Sequence, residues 1–215
     1  MKRCAVCQVH SSSALCSGCQ ALFQSPENPC QICAKPLNQI NGICGECRSD
    51  KPSFSQTICA AIYAPPVSQW VQQLKFGNQL DRALIMAEAL LEPLHVIDAH
   101  VPIIPVPLHP NRLKSRGYNQ AYEVAKLIAK KQQRQLIVNS LIRSKDTAMQ
   151  AELHEKQRAS NVSAAFKVEK PINFQTVIVL DDVMTTGQTL RAVSTCLLKA
   201  GVEQVIVAVF ARSAG

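Results

Sequence analysis

The chain has 215 residues, 47% of them apolar and 5% aromatic, with a formal charge of +8. That length holds one ordinary domain plus a small extra module, and the apolar share is enough for a true core. The low aromatic content argues against a surface built on extensive base stacking, and no run approaches the ~18 apolar residues a membrane span requires.

The segment MKRCAVCQVHSSS carries two basic side chains and no apolar stretch behind them, so no secretory signal is expected and the expected location is the cytosol. Eight of the ten cysteines then fall as four CxxC pairs, Cys4/Cys7, Cys16/Cys19, Cys30/Cys33 and Cys44/Cys47. A CxxC pair brings two sulfurs to one ion at ~2.3 Å, so four pairs make two closed Cys4 sites. A module of ~45 residues has too little core to fold alone, and metal binding supplies the missing stability. A disulfide scaffold needs an oxidising compartment, and a redox CxxC does not need four copies. Structural Zn2+, two ions with no open position for water, is the expected occupant. Sequential ribbons fit the gaps between pairs, with an interleaved cross-brace as the alternative. Eight thiolates and two dications lower the formal charge by four, to about +4.

The composition shifts near Lys51-Pro52, dividing the chain into residues 1–50, a zinc-binding module, and residues 51–215, an α/β domain. In chain order the pattern predicts a strand over 57–64, helices over 67–76 and 80–91, a short buried strand over 101–106 and an amphipathic helix over 118–131. A strand over 136–142 follows, then a polar loop with one helical turn over 144–163. A strand over 177–181, a helix over 189–200 and a strand over 205–211 complete the chain. Strands alternating with helices imply a mostly parallel sheet with helices on both faces.

Residues 111–160 hold 11 Lys/Arg against 4 Asp/Glu, a surplus that suits a phosphate-rich ligand. Lys126, Lys130, Lys131 and Arg134 read instead as a solvated helix face. Within Val177–Thr189 (VIVLDDVMTTGQT), an apolar strand ends in two adjacent carboxylates before a Thr- and Gly-rich loop opens a helix. Asp181 and Asp182 suit ribose hydroxyls or a magnesium ion. Thr185, Thr186, Gly187, Gln188 and Thr189 offer backbone N–H groups and hydroxyls at a helix N-terminus, where a phosphate is favoured. An ordinary Thr-capped turn would not need two consecutive carboxylates in an apolar setting.

His10, His95, His100 and His154 are isolated, and His109 stands beside the basic segment. Cys59 and Cys196 read as core thiols, and Trp70 and Phe76 as sharing the buried face of one helix.

The Val177–Thr189 segment resembles the motif by which type I phosphoribosyltransferases bind 5-phosphoribosyl-1-pyrophosphate (PRPP). That resemblance implies Asp181 and Asp182 on the ribose as the catalytic pair, Thr185 to Thr189 around the 5-phosphate, and Mg2+ bound with PRPP. Hypoxanthine-guanine-type enzymes carry an aspartate where this chain has Thr185, which argues against 6-oxopurine salvage. After the strand VPIIPV, the residues Arg112, Lys114, Arg116, Asn119 and Gln120 stand where such folds bind pyrophosphate, and they suit DNA phosphates equally. Arg143, Thr147, Gln150 and Arg158 suit a flap over PRPP.

With the four knuckles, Leu74-Lys75-Phe76, Arg116-Gly117-Tyr118-Asn119-Gln120-Ala121 and the Arg143/Thr147/Gln150/Leu153 spacing, nearly the whole chain resembles the ComF competence-protein family, GntX-type relatives included. The fold so implied is a type I phosphoribosyltransferase-like sheet behind an N-terminal Cys4 zinc-ribbon module. The role implied is handling of incoming single-stranded DNA, with a competence helicase or membrane DNA-uptake channel as partner and a peripheral position at the inner face of the membrane. The alternatives are an active phosphoribosyltransferase of nucleotide salvage, and a catalytically silent adaptor that binds single-stranded DNA through the same fold.

Overall fold

The computed structural model describes residues 2–145 and 165–214. The flap residues Thr147, Gln150 and Arg158, with most of the polar loop, lie outside the described residues.

Four parallel strands form the central sheet: β3 (Gln56–Ile62), β4 (Ile103–Pro105), β7 (Thr176–Met184) and β8 (Gln204–Arg212), in the order β3-β8-β7-β4. Successive side chains of a strand point to opposite faces, and the burial pattern follows that rule. Ile178, Leu180, Ile206, Ala208 and Phe210 join one apolar cluster, with helices α3 (Val67–Phe76), α4 (Arg82–Leu91) and α6 (Gln120–Gln132). Val177, Val179, Val205, Val207 and Val209 join the other, beneath helix α7 (Gln188–Lys199). Both faces are covered, which is why these strands read as continuous apolar runs rather than as alternating ones.

The N-terminal segment supplies three small pieces: β1 (Lys2–Arg3) paired with β2 (His10–Ser11), and the single-turn helices α1 (Ser17–Gln20) and α2 (Gly45–Ser49). Its two halves separate across the sheet. Cys4, Leu15 and Cys19 pack with the α3/α4/α6 cluster, whereas Cys30, Ile32, Cys33, Cys44 and Cys47 pack with the α7 cluster.

The expected strand over 136–142 forms only in part. Leu136 makes one parallel bridge to Ile103 at the sheet edge; the chain then leaves the sheet, and β5 (Leu141–Arg143) pairs antiparallel with β6 (Phe166–Val168). Asn139, at φ 62°, marks the departure. The segment after β4, to which the sequence pattern assigns no element, contains a helix, α5 (Pro110–Arg116). It is started by Pro110 and by the His109 ring, which accepts from the Asn111 N–H at 3.3 Å, and stopped by Gly117 at φ 82°. Strand β7 runs past its expected end: Asp181 and Val183 are still in register with Val209 and Ala211 of β8. The carboxylates therefore lie within the strand, with the ladder continuing two residues beyond Asp182.

Among the basic residues read as a solvated face, Lys126, Lys130 and Lys131 are exposed, and Lys131 pairs with Glu88. Arg134 is not on that face. It lies beyond the left-handed Gln133 that ends α6, and its buried guanidinium donates to the carbonyls of Leu94 (3.0 Å), Ile97 (2.6 Å) and Val101 (3.2 Å). Phe76 is a second correction. Trp70 is buried, but Phe76 is 75% exposed, because position 76 falls two residues past Leu74 and so to the opposite side of α3. Cys59 is a core thiol as expected, and burial pushes it up to about 11.

Candidate functional site

The first candidate element is the pair of cysteine groups. The sulfurs of Cys4, Cys7, Cys16 and Cys19 lie within 4.8 Å of one another, as do those of Cys30, Cys33, Cys44 and Cys47. Adjacent ligands on a tetrahedral zinc ion stand ~3.8 Å apart, given Zn–S bonds of ~2.3 Å. Cys7 and Cys16 are 3.7 Å apart and Cys33 and Cys44 3.6 Å, so both sets fit such an ion, and the grouping is sequential rather than interleaved. Backbone amides already favour the thiolate. The Cys16 N–H donates to Cys4 Sγ at 3.4 Å and the Cys44 N–H to Cys30 Sγ at 3.3 Å. Burial alone would raise these thiols, but the amides outweigh it, bringing Cys4 down to about 6 and Cys30 to about 7.

The second element gathers at the C-terminal edge of the sheet, between β7 and α7. The Lys75 ammonium stands 2.9 Å from Asp182 Oδ2, with Asp182 7% and Lys75 27% exposed. That oxygen accepts no aligned hydrogen bond, so the pair is held by charge alone. Asp181 Oδ1 accepts the Asp182 backbone N–H at 2.9 Å. Burial, then the neighbouring Asp182 charge, pushes the Asp181 carboxyl up to about 7, with Lys75 pulling the other way. Beyond them, Thr185 and Thr186 are exposed, Gln188 and Thr189 partly so. Gly187, at φ 76°, occupies the position preceding α7 and has no side chain to cap it, while Thr186 Oγ1 accepts the Gln188 N–H at a long 3.5 Å. A Cβ there would stand 2.6 Å from Met184 Cε as well as in a disfavoured backbone region.

The residues expected around pyrophosphate are divided by α5. Positions 112 and 116 lie one turn apart and share a side, half-buried, while Lys114 points away and is exposed. Arg116 covers the exposed Phe76 ring at 5.3 Å. Burial lowers its pKa and the Asp182 charge opposes that shift, so Arg116 is within electrostatic reach of Asp182. Asn119 is engaged within the fold, while the buried Gln120 Nε2 has no hydrogen-bond partner among the described residues. Asn119 Oδ1 accepts from the Ala121 N–H at 3.0 Å and from the Tyr122 N–H at 3.4 Å, capping α6, while its Nδ2 donates to the Val106 carbonyl at 3.0 Å. Gln120 is 3% exposed. Arg143 stacks on Phe166 at 5.5 Å and borders a cavity of about 640 Å³ whose walls include Leu108, Leu113, Tyr118, Tyr122 and Ile137.

Two contributors carry no local signal in the sequence. Lys75 sits in the tripeptide Leu74-Lys75-Phe76, and its carboxylate partner is far away in the chain. Arg212 ends an apolar strand, and its neighbours are carbonyl groups that leave no trace in a sequence. Its Nε donates to the Cys33 carbonyl at 2.9 Å, and its Nη1 donates to the carbonyls of Met184 (3.1 Å), Thr185 (2.6 Å) and Ser213 (2.7 Å).

A parallel sheet ending in paired carboxylates ahead of a glycine-led helix, behind two Cys4 groups, defines a phosphoribosyltransferase-type domain with an N-terminal zinc-ribbon-like module. The phosphoribosyl transferase domain family matches residues 113–215. Competence protein F of Haemophilus influenzae is 34% identical over 223 residues, covering 98% of this chain and 97% of that protein. DNA utilization protein YhgH of Shigella flexneri is 31% identical over 87% of this chain and 85% of its own length. Competence protein ComFC of Bacillus subtilis is 23% identical over 87% and 79%. The chain belongs to the competence protein F family. Among the described residues no helix is long and apolar enough to cross a membrane.

Proposed function

We propose that this chain binds PRPP with magnesium at residues 181–189 and acts in the handling of incoming single-stranded DNA, in keeping with relatives named for competence and DNA utilization. Residues 1–50 form its zinc-bearing module and residues 51–215 its PRPP-binding domain. The observation that carries the reading is the buried Asp182, ion-paired with Lys75 and one residue from Asp181, shortly ahead of the glycine-led start of α7. Ribose hydroxyls donate to the two carboxylates, and the N–H groups and hydroxyls of residues 185–189 receive the 5-phosphate. Arg116 and Lys75 supply positive charge beside the pyrophosphate, with Arg112 on the same side of α5. Magnesium, when bound, neutralises the pyrophosphate. Where turnover occurs, the bond from the anomeric carbon to pyrophosphate breaks through an oxocarbenium-like state, which those cations favour by stabilising the leaving group. Replacing Asp181 and Asp182 together with Asn is expected to abolish PRPP binding at full zinc content; unchanged PRPP affinity would overturn the assignment.

One observation favours a second use of the same edge. Phe76 is 75% exposed and carries Arg116 over its ring, an arrangement on which a base of single-stranded DNA can stack while the guanidinium meets a phosphate. Docking of a helicase or an uptake channel, and a peripheral position at the membrane through such a partner, belong to this second reading.

A further inference from the structure

The two cysteine groups do not stand in the same relation to the phosphate loop. The second group is tied to it three times. Arg212, 3% exposed, spans the Cys33 carbonyl on one side and the Met184 and Thr185 carbonyls on the other. Arg191, in the first turn of α7, donates to Asp50 Oδ2 at 3.0 Å and to the Asp50 carbonyl at 2.8 Å, immediately after the helix that carries Cys47. Met184, whose methyl group fills the space a side chain at Gly187 would need, packs in the same apolar cluster as Cys30, Cys33, Cys44 and Cys47. The first group lies in the cluster on the other face of the sheet.

We propose that the metal site of Cys30, Cys33, Cys44 and Cys47 is a positioning element for the phosphate loop, with Arg212 as the strut between them. A four-thiolate zinc centre carries a net charge of roughly −2, which a buried guanidinium offsets while its fork holds carbonyls from both sides. With metal bound, the Cys33 carbonyl is fixed by the knuckle, Arg212 is fixed by Cys33, and the carbonyls of Met184 and Thr185 are fixed by Arg212. The peptide planes of residues 184–186 are thereby set, and with them the direction of the N–H groups that open α7. Losing this metal frees one end of the strut. Losing the metal of Cys4, Cys7, Cys16 and Cys19 leaves it intact. Metal occupancy at one of two like sites thus sets how well the loop is formed, and Arg212 is a positioning residue rather than a phosphate ligand.

This inference rests on the reading of residues 185–189 as a 5-phosphate site only for its ligand consequence, so the test has two readouts on the full-length, zinc-loaded chain. Amide hydrogen exchange over residues 184–190 reports the loop itself, and titration with ribose 5-phosphate without magnesium reports phosphate affinity. Arg212→Lys keeps the charge and loses the fork. It is expected to retain two zinc ions, to raise exchange over 184–190 about tenfold, and to weaken ribose 5-phosphate by a similar factor. Cys7→Ser, with one zinc ion remaining, is expected to leave the exchange of that segment as in the parent. Unchanged exchange in the Arg212→Lys protein, or an equal rise in the Cys7→Ser protein, overturns the proposal. Should Arg212→Lys not fold, Asp50→Ala removes an exposed carboxylate of the same linkage, with about a threefold rise expected; no rise overturns the proposal there. If the exchange effects appear while the parent protein binds no ribose 5-phosphate, the coupling stands and the phosphate reading fails.

Discussion

The two cysteine groups share a ligand set and a spacing, yet they lie on opposite faces of one sheet. The second is wholly buried and lies against the α7 cluster beneath the phosphate loop. The first exposes Cys7 and is braced by aromatic packing, with Phe23 5.5 Å from Trp70 and 5.8 Å from Phe210. The Ile62 N–H donates to the Gln24 carbonyl at 3.1 Å, and Ser25 Oγ donates to the Cys59 carbonyl at 3.2 Å, so the linker between the groups runs along β3, the edge strand of the sheet. Like ligand sets therefore do unlike work: one covers a face of the sheet and the other supports a site.

The largest effect that tests this division is loss of the carboxylates. Asp181→Asn with Asp182→Asn is expected to weaken PRPP·Mg by more than ~100-fold in calorimetry, about 3 kcal/mol, since charge-assisted contacts and the metal's neutraliser go together. Zinc content should be unchanged, which separates the site from its support. Next come the ligand cysteines. Cys30→Ser and Cys7→Ser are each expected to lower zinc from two to one per chain, with the buried Cys30 costing more thermal stability because its cluster includes α7 and β7. Equal losses in melting temperature would remove the contrast.

The cations of α5 give a smaller and sharper effect. Arg116→Ala is expected to weaken pyrophosphate binding about tenfold and Lys114→Ala less than about twofold, because Arg116 lies over Phe76 and feels the Asp182 charge while Lys114 points away. The same order should appear for single-stranded DNA, with a shallower salt dependence for Arg116→Ala.

A separate lever on the same carboxylates is pH. The Asp181 carboxyl is raised to about 7 in the folded chain, from an ordinary value near 4. The folded state thus holds a proton that the unfolded state has released. Stability from this group is full below the ordinary carboxylate range and is lost as pH rises through about 7. Binding of PRPP·Mg wants the ionised form and should tighten over the same range. Asp181→Asn is expected to flatten both profiles, which a melting series and a calorimetric series between pH 5 and about 8 would show.

Much of this architecture is legible in the residues themselves. Helix α3 is bounded as its apolar spacing implies, and the CxxC pairs announce both four-sulfur groups. The rest hides for definite reasons. The α5 helix buries none of its residues, so it has no apolar period to read, and a cap, a proline and a glycine define it instead. Asn119 looks like a phosphate ligand by side-chain type, but its amide oxygen caps the start of α6. Phe76 reads as core because Trp70 is on the same helix; its angular position says otherwise. Lys75 and Arg212 act through partners distant in the chain, one a carboxylate and the others backbone carbonyls, and no local pattern encodes such a meeting.

The most direct test of the central claim is calorimetric titration of the zinc-loaded protein with PRPP and magnesium, in the presence and absence of single-stranded DNA. Saturable PRPP binding that is lost in the Asp181→Asn, Asp182→Asn protein is the predicted result, and a change in PRPP affinity with DNA would show that the two ligands are linked. No PRPP binding by the parent protein, with DNA still bound, would contradict the account and leave the fold as a DNA-handling scaffold.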